Sequence, residues 1–370
     1  MIRKISLTVV LVIGVVWVTA TFIFSLWSKG PAVDRLTKSL KPAFSNAGIA
    51  QARSDVNAVN GVITDLTTHT IPLLANDLRK TPAQVESLVS STFPTVGKML
   101  AAQDNEGQPY ADGQPYIVHA ADYLNVVATS LKAQQHNFDS ASAIPTKNLP
   151  TVALSWLFLI LGLVALGIGG AFIWKPDLAR ALGVTLVALG LVVVVVTFLL
   201  DVPGKTQSVD GLTNAFRPVF ATTGPLSIDE GQKYLDAVTA ADKTLETQFV
   251  PAVAGLLQTT PTAVAAVLTQ ASPQVVNALF GKDPADPRIS VLAGILNRFD
   301  GLAAAVKADR PDFRQADSIP GLGWPTTIVQ FLLVGPALIL VLAGIGFVVP
   351  PVRPLEPVPV YGRRDLSYTH

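Results

Sequence analysis

Four stretches of the 370-residue chain, 5–27, 151–174, 181–200 and 325–349, contain no Asp, Glu, Lys, Arg or His. A helix needs about 20 residues to cross the roughly 30 Å hydrocarbon core of a bilayer, so each is long enough to span it. The third is the most apolar, with an unbroken valine run from Val192 to Val196. Leu, Val and Phe each favour insertion by about 0.3 to 0.6 kcal/mol, and no charge opposes them. Between the spans the pattern changes. Val56, Val59, Ile63, Leu66, Thr70 and Leu73 step by three and four, and Leu235, Val238, Asp242, Leu245, Phe249 and Ala252 keep the same steps. That period belongs to packed helices, and no stretch alternates with the period of two that a strand needs. The pattern predicts helices near 33–45, 51–80, 82–103 and 116–136, with counterparts in the second half. Pro82 and Pro261 each follow a threonine, a helix cap with proline at the first helical position. Pro72 and Pro251 fall inside helical patterns and are expected to kink them.

The two halves of the chain match. Val33-Asp34-Arg35-Leu36-Thr37 aligns with Val209-Asp210-Gly211-Leu212-Thr213, and Lys41-Pro42-Ala43-Phe44 with Arg217-Pro218-Val219-Phe220. After a three-residue insertion Pro72 pairs with Pro251, Thr81-Pro82 with Thr260-Pro261, and Pro94 with Pro273. Phe138 then meets Phe313, Ile144-Pro145 meets Ile319-Pro320, and Pro150-Thr151 meets Pro325-Thr326. Self-similarity over so long a period points to a tandem duplication of a span–ectodomain–span unit. Each unit holds an even number of spans, so both copies insert the same way up, as in parallel repeats. The expected fold is an all-α membrane protein. Four transmembrane helices carry two homologous helical-bundle ectodomains, tandem-duplicated with pseudo-two-fold symmetry along the membrane normal. A fused homodimer has that form.

Composition and charge sharpen this picture. Half of the residues are hydrophobic, 14% are charged and the mean hydropathy is +0.46, which argues against a soluble enzyme and a disordered chain. Zero cysteine removes disulfides, thiolate ligands, cysteine nucleophiles and palmitoylation. The N-terminus carries Arg3 and Lys4, the turn at 175–180 carries Lys175 and Arg180, and the tail carries Arg353, Arg363 and Arg364. Those three segments hold seven basic against three acidic residues. The segments 28–150 and 201–324 hold ten against ten and ten against thirteen. By the positive-inside rule the basic segments are cytoplasmic. The resulting organisation is a cytoplasmic N-terminus and first span at 1–27, ectodomain one at 28–150 and a second span at 151–174. A cytoplasmic turn at 175–180 leads to a third span at 181–200 and ectodomain two at 201–324. A fourth span at 325–349 and a proline-rich cytoplasmic tail at 350–370 complete the chain. The first apolar stretch exceeds a signal-peptide core and no A-x-A-like site follows it, so it reads as an uncleaved anchor in a plasma (inner) membrane.

Motifs that carry chemistry are scarce. His69, His119, His136 and His370 form no metal-binding spacing, and there is no phosphate-binding glycine loop or nucleophile elbow. No span holds an ionisable residue of the kind an ion pathway uses. No enzymatic activity, cofactor, metal or nucleic-acid partner is expected. Ala165 and Gly169 read as helix-packing positions in the second span. Two segments remain as candidate contacts. The loop GQPYADGQPY at 107–116 either presents Tyr110 and Tyr116 for recognition or folds both back onto the helices. In the tail, Pro351, Pro354 and Pro357 suit a polyproline II docking strip, or the tail simply leaves the membrane with its arginines near anionic headgroups. The paired proline positions Pro42/Pro218, Pro72/Pro251, Pro82/Pro261 and Pro145/Pro320 are structural candidates. The expected function is a multi-pass scaffold or accessory subunit of the bacterial cell envelope, anchored in the lipid bilayer, whose ectodomains bind a partner protein. The alternative is handling of a lipid ligand or other hydrophobic substrate in a groove between the ectodomains.

Overall fold

The computed structural model describes residues 2–104, 106–144, 146, 149–256, 258–319 and 324–349. It is 81% helix, with no strand among the described residues. The first half runs α1 (Ile2–Ile23), α2 (Leu26–Phe44), α3 (Asn46–Asp65), α4 (Ile71–Asp77), α5 (Pro82–Thr92), α6 (Pro94–Leu100), α7 (Tyr116–Ala141) and α8 (Ala153–Trp174). The second runs α9 (Ala179–Leu199), α10 (Val202–Phe220), α11 (Ile228–Thr244), α12 (Val250–Leu256), α13 (Pro261–Ala271) and α14 (Pro273–Phe280). It ends with α15 (Val291–Ala308), α16 (Arg310–Asp317) and α17 (Ile328–Val348).

The chain divides into two compact units. One contains the four helices long and apolar enough to cross a membrane, α1, α8, α9 and α17. Small residues let them approach closely. A Cβ on Gly14 would strike Leu166 and the Gly162 carbonyl, and one on Gly190 would strike the Ala337 carbonyl and Val341. Gly183 and Gly344 face each other in the same way. In lipid, where burial gives no hydrophobic gain, such backbone proximity is what holds helices together. Ala165 is fully buried, and Gly169 abuts Leu11. Pro336 in α17 has no N–H, so the carbonyl of Leu332 loses its helical donor. The buried Trp17 indole Nε1–H donates to that oxygen at 2.8 Å. An orphan carbonyl in hydrocarbon would cost several kcal/mol, so the indole stabilises both helices.

The second unit is Phe24–Ser155 with Leu200–Val329. The two segments read as separate ectodomains share one hydrophobic core, in which Phe44, Tyr123, Leu131 and Phe138 mix with Phe220, Leu235, Ile295 and Phe299. Helix α7 packs on α10, α2 on α16, α3 on α14 and α6 on α11, each pair crossing from one half to the other. Each half presents apolar faces that only the other half covers.

Several local expectations change. Helix α2 begins at Leu26 rather than near 33, after Ser25 turns the chain with φ 51°, and Trp27 lies in α2. Asp201 does the same before α10 with φ 50°. The helix expected over 82–103 breaks at Phe93, whose extended backbone (φ −129°, ψ 79°) is what a residue before proline adopts. Ser272 before Pro273 repeats this break. Pro72 and Pro251 sit just after five-residue π-helical turns, Leu66–Thr70 and Leu245–Phe249. The wider turn accommodates a ring that would strike the carbonyl four residues back. Pro311 ends α15 and begins α16, whereas α7 runs unbroken.

Candidate functional site

The proline positions that are described lie inside helices or at helix starts. Pro42 lies inside α2, and its carbonyl accepts from the Ser45 Oγ–H at 2.7 Å and the Ser45 N–H at 3.3 Å where that helix ends. Pro218 lies inside α10. Pro82 opens α5 behind a capping box, with the Gln84 N–H donating to Thr81 Oγ1 and the Thr81 N–H to Gln84 Oε1. Pro261 opens α13 behind Thr260, whose hydroxyl accepts from Ala263. Pro145, Pro320, Pro351, Pro354 and Pro357 lie outside the described residues.

The tyrosine pair is folded back rather than presented. Tyr116 is 3% exposed, and the Tyr110 ring rests on the His119 imidazole with centroids 3.8 Å apart. Tyr116 meets Tyr234 of the other half at 5.1 Å, and Tyr234 meets Tyr123 at 5.8 Å. The recognition reading fails for Tyr116 because an aromatic ring gains more from this cluster than from water. The cluster is apolar enough to resist ionisation. Burial first, then the charges of Glu230 and Asp229, pushes the Tyr123 phenol up to about 12. Burial and a hydrogen bond to Tyr234 raise Tyr110, and burial likewise raises Tyr234. The Tyr123 hydroxyl donates to the Ser227 carbonyl at 3.3 Å. Gly231 makes room for the ring, since a Cβ there would overlap it.

A charged cluster escaped the sequence reading. Arg298 on α15 reaches Asp55 on α3 through Nε and a terminal nitrogen, both at 2.8 Å, and Asp283 through the other at 2.7 Å. Asp55 and Asp283 are 4% and 1% exposed. Both carboxylates therefore depend on one guanidinium. Burial pushes the Asp283 carboxyl up, but the Arg298 hydrogen bond, the Ala285 amide, the guanidinium charge and the Asp286 amide together hold it below its ordinary value. Gly294 is required beside it, because a Cβ would collide with the carboxylate. A cavity of about 300 Å³ lies over the cluster, lined by Pro42, Ala52, Asp55, Leu131, Arg298 and Phe299. Neither Asp55, with Arg53 and Asn57 around it, nor Arg298, between Asn297 and Asp300, carries a local signal that separates it from a solvated charge.

A second, polar cavity of about 570 Å³ lies before α17 and is lined by Asp210, Asn214, Arg217, Arg314, Asp317 and Trp324 among others. The histidines do not converge. His69 contacts Asp65 at 3.2 Å, His119 contacts Asp112 at 3.3 Å, His136 is exposed and His370 is outside the described residues. Asp229 accepts from Arg310 at 2.6 Å. Among the described residues no three His, Asp or Glu side chains are grouped to hold a metal ion. Comparison of the chain with family models, with curated proteins and with solved structures returned no match.

Proposed function

We propose that this chain is a multi-pass scaffold or accessory subunit of the bacterial cell envelope. In this reading it arose by tandem duplication, both termini are cytoplasmic, and a single fused ectodomain faces outward to bind a partner protein. The observation that carries the reading is the shared core. Two segments separated by a pair of spans bury Phe44, Tyr123, Phe138, Phe220, Ile295 and Phe299 together, which makes one stiff body of the extracytoplasmic chain. Two carboxylates within the same body bind backbone ahead of α8 and α17. Asp34 accepts from the Thr151 N–H and Oγ1–H at 3.1 and 2.6 Å, and Asp210 accepts from the Thr326 and Thr327 N–H groups at 2.7 and 3.1 Å. A carboxylate at a helix N-terminus is stabilising and directional.

Reciprocal contacts support the fused-homodimer origin. In an isologous interface, residue i of one copy meets j of the other while j meets i. By the sequence alignment, Arg298–Asp55 and Tyr123–Tyr234 are such a pair. So are the Gln274 N–H donating to Asp65 at 2.7 Å and Thr95 meeting Thr244 at 2.9 Å. All four non-glycine residues with positive φ among those described fall at aligned positions, Ser25 with Asp201 and Arg79 with Gln258. The parallel Phe44–Phe138 stack at 4.2 Å has its counterpart in Phe220–Phe313 at 4.0 Å. Aromatic and aliphatic side chains occupy the junction where a lipid groove between the halves would run, which favours the scaffold over the carrier.

Two measurements test this reading. The cysteine-free chain is its own background for labelling. With a membrane-impermeant maleimide on intact cells, Ser91→Cys should label and Lys175→Cys should not. Affinity purification at native expression should then recover a stoichiometric protein partner. Equal labelling at the two sites would remove the topology, and recovery of the chain alone would remove the scaffold role.

A further inference from the structure

The polar cavity before α17 has the charge and shape of a ligand site. Its charges pair off unequally. The Asp210 carboxylate is taken up by the amides of Thr326 and Thr327. Arg217 forms a two-point bridge with Asp317 at 3.1 and 2.7 Å. Arg314, in the last turn of α16, lines the same cavity and has no hydrogen-bond or ion-pair partner among the described residues. Among the described residues one guanidinium is therefore left over in a concave site, and a planar fork of N–H donors suits an oxyanion such as phosphate. Asn214 and Ser318 add neutral polar groups to the wall. Trp324 closes one side, half exposed and set against Phe24 with ring centroids 6.4 Å apart. An indole at that point, four residues along the chain from the start of the apolar α17, is the residue type that settles where headgroups meet hydrocarbon. The cavity, about 570 Å³, lies within the roughly 300 to 1,000 Å³ of small-ligand sites, so it suits a headgroup rather than acyl chains.

We infer that this cavity binds a phosphate-bearing group, with Arg314 as the primary donor, the Arg217–Asp317 pair as its flank and Trp324 as its apolar wall. At the aligned positions of the first half, Arg314 is replaced by Asp139 and Trp324 by Leu149, so the site belongs to one half only. The inference does not rest on the scaffold role. The topology matters to it only in choosing between a lipid headgroup and a free phosphate.

The test uses the purified full-length chain in non-ionic detergent, with retained lipid read by native mass spectrometry. Phosphatidylglycerol, dioleoylglycerol and glycerol phosphate are added in separate arms. Wild type should retain one phosphatidylglycerol and no dioleoylglycerol. Arg314→Gln should weaken phosphatidylglycerol retention at least tenfold, Arg314→Lys less, and Trp324→Leu several-fold. Arg35→Gln, at an exposed arginine already paired with Asp312, should leave it unchanged. Glycerol phosphate binding as tightly as the lipid would assign the site to a free phosphate; binding at least tenfold weaker would assign it to a headgroup. Equal retention by wild type and Arg314→Gln, with unchanged unfolding temperatures, would overturn the inference. So would retention of dioleoylglycerol equal to that of phosphatidylglycerol.

Discussion

On the sequence alignment, Tyr123 corresponds to Arg298, Tyr234 to Asp55 and Asp104 to Asp283, so one contact across the halves is built twice with different chemistry. On one side two phenol rings meet at 5.8 Å. On the other a guanidinium joins two buried carboxylates. The aspartate beside each does the same local work. Asp104 accepts from the amides of Glu106 and Gln108, and Asp283 from those of Ala285 and Asp286. The loop geometry is thus common to both, while the partners across the junction differ. In a homodimer the two contacts would have to be identical. Within one chain each contact is free to differ, and here one is an aromatic cluster and the other an ion triad under a cavity. An aromatic pair loses its interaction gradually when one member is trimmed. A triad with two carboxylates on one cation fails abruptly.

The sharpest way to break this comparison is Arg298→Met, which strands Asp55 and Asp283. The expected loss is about 3 to 5 kcal/mol in denaturant-induced unfolding, the usual cost of removing one partner from a buried ion pair. Copying the other half, with Arg298→Tyr and Asp55→Tyr together, should recover at least half of that loss, because the cavity above has room for rings. No recovery would mean that the two sites are not interchangeable.

The two clusters should also fail at opposite ends of the pH scale. Unfolded tyrosine ionises near 10, whereas Tyr123 in the fold holds its proton to about 12. Between those values the unfolded state has released a proton that the folded state keeps, so stability falls as pH rises, by about 1.4 kcal/mol per unit. Asp283 has the opposite sign. Its folded value lies below 3.8, so stability is present above that pH and falls as pH drops through the folded value. Unfolding midpoints measured across both windows check this, and Tyr123→Phe should remove the alkaline slope that this residue contributes.

Gly231→Ala tests how tightly the aromatic side is packed. Its Cβ would overlap the Tyr123 ring, which cannot swing away as a flexible chain could. A loss of about 2 kcal/mol is expected, read by thermal unfolding. The smallest effect should come from Tyr123→Phe at neutral pH. It removes only the 3.3 Å hydrogen bond to Ser227 and should cost about 1 kcal/mol or less. A larger loss there would show that the two halves rely equally on polar groups.

The spans were legible in the sequence because crossing a bilayer depends on length, apolarity and the absence of charge, all of which are local. Apolar helices of 21 or 22 residues occupy those positions, although the first ends at Ile23 and leaves Trp27 to α2. The threonine caps before Pro82 and Pro261 were legible for the same reason, since a cap and its helix lie within four residues. Pro72 and Pro251 marked irregular turns, but that the irregularity takes the form of a π-turn depends on packing around it. Other features required distance. The three- and four-residue seam of α3 showed that a face is buried without showing that α7 of the same half and α14 of the other half pack on that helix. Arg298 and Asp55 lie 243 residues apart, so nothing local distinguishes them from solvated charges. Tyr116 in a turn-rich loop could have faced water, and Tyr234 of the other half decided that it does not. The sequence by itself therefore determined the four apolar spans, the helical class and many helix ends, because those follow from interactions within a turn or two of chain. Only the tertiary structure decided that Phe24–Ser155 and Leu200–Val329 form one body and which charges are buried at their junction, because those depend on pairing surfaces that no local pattern specifies.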